Sequence, residues 1–526
     1  MEVGSRQFAP GFNAARDEAR SALGEKRLIL GRWCSKNRHL LFSAVYLIGV
    51  TFILFYLFSD WSYDDPFITY RYADNIRKGA GFVYNSGERI QSTSSPLFTV
   101  LLAVTGNFSS DIPRLANLIG SLSLALGALA MSSLARKWES PVVGWTTLFL
   151  YPTFPLLVST LGSETPLYLA LCLSAFAFSA YRRYNTTALC AALALLTRTD
   201  GVLVALLLGA DHILHRRRIP WSAVIVFSGP VLAWFSFAWM YFGSPLPATL
   251  AAKQHQGLMF ISEQFASGLA TIASGYAAKG GYWLEALIAV LGLAFAAWRA
   301  RQWMLFLLWP VIYAVAYSAL GVSSYFWYYA PLVPGFVAAI GMGISVFEQH
   351  ARANHRPPPN LHNGQAKQRL GAIARLEVGL IPGLGVFFLL FFLFIQGSDV
   401  LKMSQIPDGR IEIYRSIGQW LDANTPPGST VGTLEAGIIG FYAGRRIVDF
   451  AGLLQPDVAA QLTAKTTYED AAIWVVQHYH PNYIVLQEDV MPRLEENYIW
   501  YHCWPAQYFA GKQYHFPGDI SVFFCK

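Results

Sequence analysis

Two adjacent carboxylates, Asp64 and Asp65, stand in the stretch DWSYDDPFITYR (60–71), directly after an apolar run at 39–59. A carboxylate so placed can take a proton from a hydroxyl, as a general base does. Neighbouring side chains diverge, so one acid can face a cavity while the other makes a salt bridge or caps a helix. Asp ahead of Pro66 is also a helix start signal, and the two roles are open between the two residues. Other segments bring charge to the ends of apolar runs. Arg71 closes the same stretch, Glu164 lies in GSETP (162–166), and Arg198 and Asp200 lie in TRTDG (197–201). Lys253 and His255 sit at and just beyond the end of GSPLPATLAAK (243–253). Lysine meets phosphate as a point charge, and it also snorkels at interfaces. An Arg–Asp pair deep in an apolar stretch suits an anion site or serves structure alone. Glu164 also reads as a helix start. Charged groups near membrane depth are costly, which makes function the default reading.

The elements that must position these residues are apolar. The chain has 526 residues, 54% of them hydrophobic and 13% charged, against roughly 25% charged in soluble domains. Runs near 20 residues recur, which predicts a polytopic α-helical membrane protein. The runs at 39–59, 113–134, 141–161, 165–181, 186–198, 200–212, 220–242, 282–298, 302–320, 326–347 and 376–396 predict about eleven transmembrane helices. The run at 96–105 is too short to span and reads as re-entrant or interfacial.

A net charge of +7 does not point to nucleic acid, because the basic residues cluster between apolar runs. Arg136-Lys137, Arg182-Arg183, Arg216–Arg218, Arg299 and Arg301 fall in alternate loops, as the positive-inside rule requires. With the basic segment 1–38 cytoplasmic, the part from 400 to 526 lies outside. The first run is then a retained helix rather than a cleaved signal. Arg198–Gly201 interrupts one apolar stretch. Two short helices meeting there place a charged turn at the floor of an outward-facing cavity. The segment 352–366 reads as a flexible inner loop.

The tail reads as an α/β domain. STVGTLEAG, RRIVDFAG and PNYIVLQ have strand character; IYRSIGQWLDANTP and DAAIWVVQHY have helical period. The five cysteines have no metal spacing. Cys503 and Cys525 can pair if the tail is outside; Cys34, Cys172 and Cys190 read as free thiols. No Walker A loop or zinc motif is present.

The order of these segments resembles the GT-C glycosyltransferases, and within them the bacterial arabinofuranosyltransferase-like branch. DDPFITYRYADNIRKGAGFVYNSGERIQSTSSPLFTVLLA (64–103) is similar to that family's first outer loop. GSETPLYLAL matches its Gly-x-Glu-Thr-Pro turn, and TRTDG stands where the family has Arg-Pro-Glu-Gly. GSPLPATLAAK resembles its Pro-Asn-Thr-x-x-Ala-Lys loop, and LEAGIIGFYAGRRIVDFAGLLQPDVA (434–459) the opening of its outer domain. The match runs from about residue 39 to 460.

The resemblance implies a GT-C transmembrane domain at 39–396, a catalytic first outer loop at 60–112 and an extracytoplasmic α/β domain at 400–526. It implies a multi-pass protein of the plasma (inner) membrane. The activity implied is inverting transfer of a sugar from a polyprenyl-phosphate donor to a hydroxyl of a cell-envelope glycan, lipid or protein. Asp64 or Asp65 would be the base. Arg71, Arg198 and Lys253 would meet the phosphate with His255 nearby, and Glu164 and Asp200 would orient those cations or sugar hydroxyls. No cofactor is required and no metal site is expected, with a divalent cation left open. The chain departs from the family at Thr199-Asp200, which replaces Pro-Glu, at Ala248, which replaces Asn, and in STSSP (92–96). These departures leave arabinofuranose, other pentoses and hexoses open as the sugar. The alternatives are a transporter or flippase of lipid-linked sugar and a protein O-mannosyltransferase-like enzyme. The first expects paired broken helices, where only one broken region is present. The second expects an Asp-Glu pair in the first loop.

Overall fold

Helices of two lengths build the membrane part. The computed structural model describes residues 38–354, 364–406 and 408–526. The basic segment 1–37, with Cys34, and the middle of the 352–366 loop lie outside the described residues. Among the described residues, seven helices are long and apolar enough to cross a membrane. They overlap seven of the expected runs: Arg38–Phe58, Ile112–Lys137, Trp221–Phe242, Tyr282–Arg299, Met304–Leu320 with the turn Arg301–Trp303 before it, Val333–Asn354 and Gly364–Gln405.

The other four runs form shorter helices, so the expected count of eleven resolves into seven long helices and four shorter segments. They are Pro141–Leu150 with its continuation Pro155–Val158, Thr165–Ala180, Tyr184–Thr197 and Val202–Arg216. A helix of 14 residues, such as Tyr184–Thr197, reaches only about 21 Å against the roughly 30 Å of a hydrocarbon core. The first breaks ahead of Pro155, where proline disfavours a helical residue before it. The last two meet at Arg198, whose backbone is extended, followed by a one-turn 3₁₀ helix, Thr199–Gly201. That is where the charged turn was expected. The helix Phe265–Ala278, rich in Gly, Ala and Ser, was not expected.

Small residues let two of the long helices touch. A Cβ on Gly292 would strike the carbonyl oxygen of Ala339, and one on Gly343 the carbonyl oxygen of Ile288. Tyr282–Arg299 and Val333–Asn354 therefore pack backbone to backbone, the contact that favours Gly and Ala between membrane helices.

The C-terminal domain is a five-stranded sheet in the order β2-β1-β3-β5-β4. The strands are β1 (Thr430–Thr433), β2 (Arg446–Asp449), β3 (Tyr483–Gln487), β4 (Cys503–Phe509) and β5 (Ile520–Cys525). β1 pairs in parallel with β2 and β3; β5 is antiparallel to both β3 and β4. The three parallel strands are the expected ones. The β4–β5 hairpin was not expected, since Pro505 and a register shift at Pro505/Gln507 interrupt its pattern. Cys503 and Cys525 are joined by a disulfide, while Cys172 and Cys190 are free. One face of the sheet shares a core with the membrane-exit segment. Phe67, Tyr70 and Tyr72 cluster there with Ile413, Ile417, Ile438 and Ile439. The carboxyl ends of β1 and β2 point towards that segment, the end of an open parallel sheet at which ligand sites are found.

Replacing Gly292 by Val should lower the melting temperature in detergent by several degrees, because two backbones would have to separate. Gly275, whose added Cβ meets nothing within 4 Å, should tolerate Ala with no loss. Thermal unfolding of the two variants beside the parent checks both.

Candidate active site

The helix Asp64–Arg77 begins directly at the acid pair, with Tyr63 extended before it and Pro66 in its first turn. Successive residues on a helix point about 100° apart, and the two acids go to different partners. The Asp64 carboxylate accepts the backbone N–H of Gly437 at 2.8 Å and of Ile438 at 2.7 Å. Those donors open the short helix Ile438–Ala443 of the sheet domain. Asp65 faces a cavity of about 310 Å³. There it pairs with the Lys253 ammonium at 2.9 Å, with 34% of the Asp65 side chain exposed against 10% for Lys253. The accessible acid of the pair is therefore Asp65.

The cavity floor is the broken helix. Arg198 is buried, donates to Asp200 at 2.8 Å and reaches Glu164 at 3.4 Å. Tyr317 completes the group: Arg198 donates to its hydroxyl at 2.9 Å, and that hydroxyl donates to Asp200 at 2.7 Å. Aromatic rings form a third side. Lys253 lies 3.7 Å from the Tyr325 ring centroid, and Tyr63 stacks on Trp327 with centroids 5.0 Å apart. Thr69, Ser92, Thr93 and Ser94 give a wall of hydroxyls, while Val202, Leu203, Leu246, Leu250 and Leu320 give an apolar one. Val202 also borders a second, apolar groove of about 240 Å³ between the helices Tyr184–Thr197, Val202–Arg216 and Trp221–Phe242.

Of the expected site residues, Asp65, Glu164, Arg198, Asp200 and Lys253 line one cavity. Asp64, Arg71 and His255 lie outside that lining. Asp64 is spent on the sheet domain. Arg71 is buried away from the cavity with its guanidinium shared among carbonyls: Nε donates to Tyr84 at 2.9 Å, and its terminal nitrogens donate to Gly440 and Arg445, each at 2.5 Å. Its guanidinium thus joins the first loop to the sheet domain. His255 faces the sheet domain, with Nδ1 3.0 Å from the Leu462 carbonyl oxygen. Tyr317 was not foreseen, because a single tyrosine in an apolar helix carries no signal of its depth. The hydroxyl wall falls on the STSSP departure, and Trp327 and Tyr328 fall in an aromatic loop visible in the sequence. Among the described residues no group of three or more His, Cys, Asp or Glu side chains is arranged to hold a metal ion.

Comparison with solved structures follows this geometry. The crystal structure of ArnT from Cupriavidus metallidurans bound to undecaprenyl phosphate superposes with a TM-score of 0.57 at 16% identity, over 93% of this chain and 98% of that one. Its apo form gives 0.56 at 15%, over 91% and 97%. The oligosaccharyltransferase AglB from Archaeoglobus fulgidus, in complex with an inhibitory peptide and a dolichol-phosphate, gives 0.51 at 14%, over 89% and 71%. This chain has the GT-C fold. At such identities the likeness is one of fold, and it extends into the sheet domain because 93% of this chain is covered. Residues 404–522 match a family described as a domain of unknown function, DUF8728. No curated protein matches.

The GT-C fold here buries carboxyls where the sheet domain meets the first loop. Burial pushes Asp64 up to about 6, against the two N–H donors that lower it. Burial likewise pushes Asp449 to about 7 and, reinforced by the Asp64 charge, Glu435 to about 8. The folded protein thus binds these protons more tightly than the unfolded chain, whose carboxyls titrate near 4. Their contribution to stability is full below about pH 4 and is lost as pH rises through the range of about 6 to 8. The melting temperature should therefore fall between pH 5 and pH 8, and Glu435→Gln should flatten that fall; thermal scans across pH test it.

Proposed function

We propose that this chain is an inverting membrane glycosyltransferase. It moves a sugar from a polyprenyl-phosphate donor to a hydroxyl of a cell-envelope glycan, lipid or protein. The observation that carries the reading is the half-buried, cavity-facing Asp65 carboxylate paired with Lys253, beside Arg198, in a cavity bordered by an apolar groove. Asp65 takes the proton of the acceptor hydroxyl as its oxygen attacks the anomeric carbon. The bond from that carbon to the phosphate oxygen breaks on the opposite face, and polyprenyl phosphate departs with the electron pair. Lys253 and Arg198 supply positive charge where the leaving phosphate gains negative charge. Glu164 and Asp200 hold Arg198 in place, and the hydroxyl wall of Thr69 and Ser92–Ser94 faces the sugar. The lipid tail runs past Val202 into the groove.

ArnT and AglB, which share the fold, were solved with undecaprenyl phosphate and a dolichol-phosphate respectively. The orientation we propose puts the N-terminus in the cytoplasm and the cavity and sheet domain on the extracytoplasmic side of the plasma membrane. The Cys503–Cys525 disulfide supports that side, since disulfides persist in oxidising compartments.

Transfer from a panel of radiolabelled polyprenyl-phosphate sugars in membranes tests the reading. One sugar should be transferred. Asp65→Asn should lower the rate by about 10²-fold or more without changing the melting temperature. Asp64→Asn should instead lower the melting temperature and loosen the sheet domain to limited proteolysis. Wild-type rates in Asp65→Asn would overturn the assignment of the base.

A further inference from the structure

Gln256 is buried between the helix Ala248–Leu258 and the sheet domain. Both ends of its amide are used. Nε2 donates to the Ala451 carbonyl oxygen at 2.9 Å, and Oε1 accepts from the Tyr325 hydroxyl at 2.8 Å. A flipped amide would set its oxygen against that carbonyl and its NH₂ against the phenol, so Ala451 decides which end faces Tyr325. Tyr325 in turn carries Lys253 on its ring face, and Lys253 pairs with Asp65.

On the far side, Ala451 belongs to the turn after β2, and the buried Asp449 builds that turn. Its carboxylate accepts the N–H of Ala451 at 2.8 Å and of Leu453 at 2.7 Å. Gln455 closes the loop, accepting from the Asp449 N–H and donating to the Ile447 carbonyl oxygen, each at 2.9 Å. Gly452 turns the chain at φ +74°, where a Cβ would strike Ala459. Leu453 then enters the cavity lining. A continuous set of hydrogen bonds thus runs from the sheet domain to the ring beneath the cavity's lysine.

We propose that Gln256 is a positioning residue that transmits the seating of the sheet domain to Lys253. Asp449 fixes the turn, the Ala451 carbonyl orients the Gln256 amide, and the amide holds the Tyr325 ring under the ammonium. The ammonium has three donors. With the ring fixed on one side and Asp65 on another, it keeps one side free for a phosphate oxygen. A loosened ring lets Lys253 leave this geometry, so the site is complete only when the domain is seated. This rests on the reading of Asp65 as base and Lys253 as phosphate cation.

The test compares the full-length protein with Gln256→Leu, Tyr325→Phe and the double variant. The first readout needs no substrate: the rate at which a water-soluble amine reagent modifies Lys253 across pH, read by mass spectrometry. Each single variant should raise that rate by about tenfold, the size of a lost ring–ammonium contact. The double variant should add nothing, since both residues act through one link. The second readout is turnover of the sugar donor identified in the panel. kcat/KM for the donor should fall about tenfold. Unchanged Lys253 labelling at an unchanged melting temperature overturns the proposal, as do additive effects in the double variant. If Gln256→Leu does not fold, Tyr325→Phe alone carries the same expectation. If no sugar is transferred by the wild type, the glycosyltransferase reading fails, while the labelling result still decides whether Gln256 governs Lys253.

Discussion

Everything at this site follows from the divergence of two neighbouring carboxylates at one helix start. Asp64 and Asp65 leave the backbone about 100° apart. One is consumed by the backbone N–H groups of Gly437 and Ile438, and the other is left facing a cavity. The two hydrogen bonds offset part of the cost of burying the Asp64 carboxylate, and they tie the sheet domain to the membrane helices. Because both acids share a rigid helical turn, seating the domain on Asp64 also sets the direction of Asp65. The two acids thus face different surroundings, Asp64 the sheet domain and Asp65 the cavity, and neither can take the other's place without rotating the helix.

The seam that Asp64 begins is extended by the first loop. Arg71 reaches the carbonyls of Gly440 and Arg445, and Tyr84 donates to Ala436. Asn85 donates to the Ile447 carbonyl and accepts from the Ile447 N–H, acting as a short extra rung at the free edge of β2. Glu88 meets Arg446 at 2.6 Å. These contacts bring the carboxyl ends of β1 and β2 over the cavity, so the membrane part supplies acid, cations and hydroxyls while the sheet domain supplies Leu453 and the turn that Asp449 holds. The buried carboxyls that accumulate here are a consequence of closing two polar surfaces on each other.

The parts of this arrangement that were legible in the sequence are those with local signals. Apolar runs marked the seven long helices, and the interruption at Arg198–Gly201 marked the broken one. The parallel strands stood out as short apolar segments bounded by Gly and Pro. The placement of Arg71 was not legible because its partners, Gly440 and Arg445, are distant carbonyls, and backbone acceptors leave no trace in side-chain types. Tyr317 was missed for a related reason: it sits in an apolar helix and gains its role only when the helix packs beside Asp200. The β4–β5 hairpin was hidden by Pro505 in an edge strand, where proline costs no ladder hydrogen bond on its solvent side. The apolar run at 141–161 was read as one span, and it breaks ahead of Pro155 into Pro141–Leu150 and Pro155–Val158, which depends on three-dimensional partners for the freed backbone groups.

The central claim is that the cavity between Asp65 and Arg198 receives a lipid-linked phosphate through Lys253. Native mass spectrometry of the purified protein with undecaprenyl phosphate measures this directly. The account predicts one bound lipid per chain in the wild type and markedly weaker retention in Lys253→Gln, at an unchanged melting temperature. Equal retention by the two proteins would contradict it.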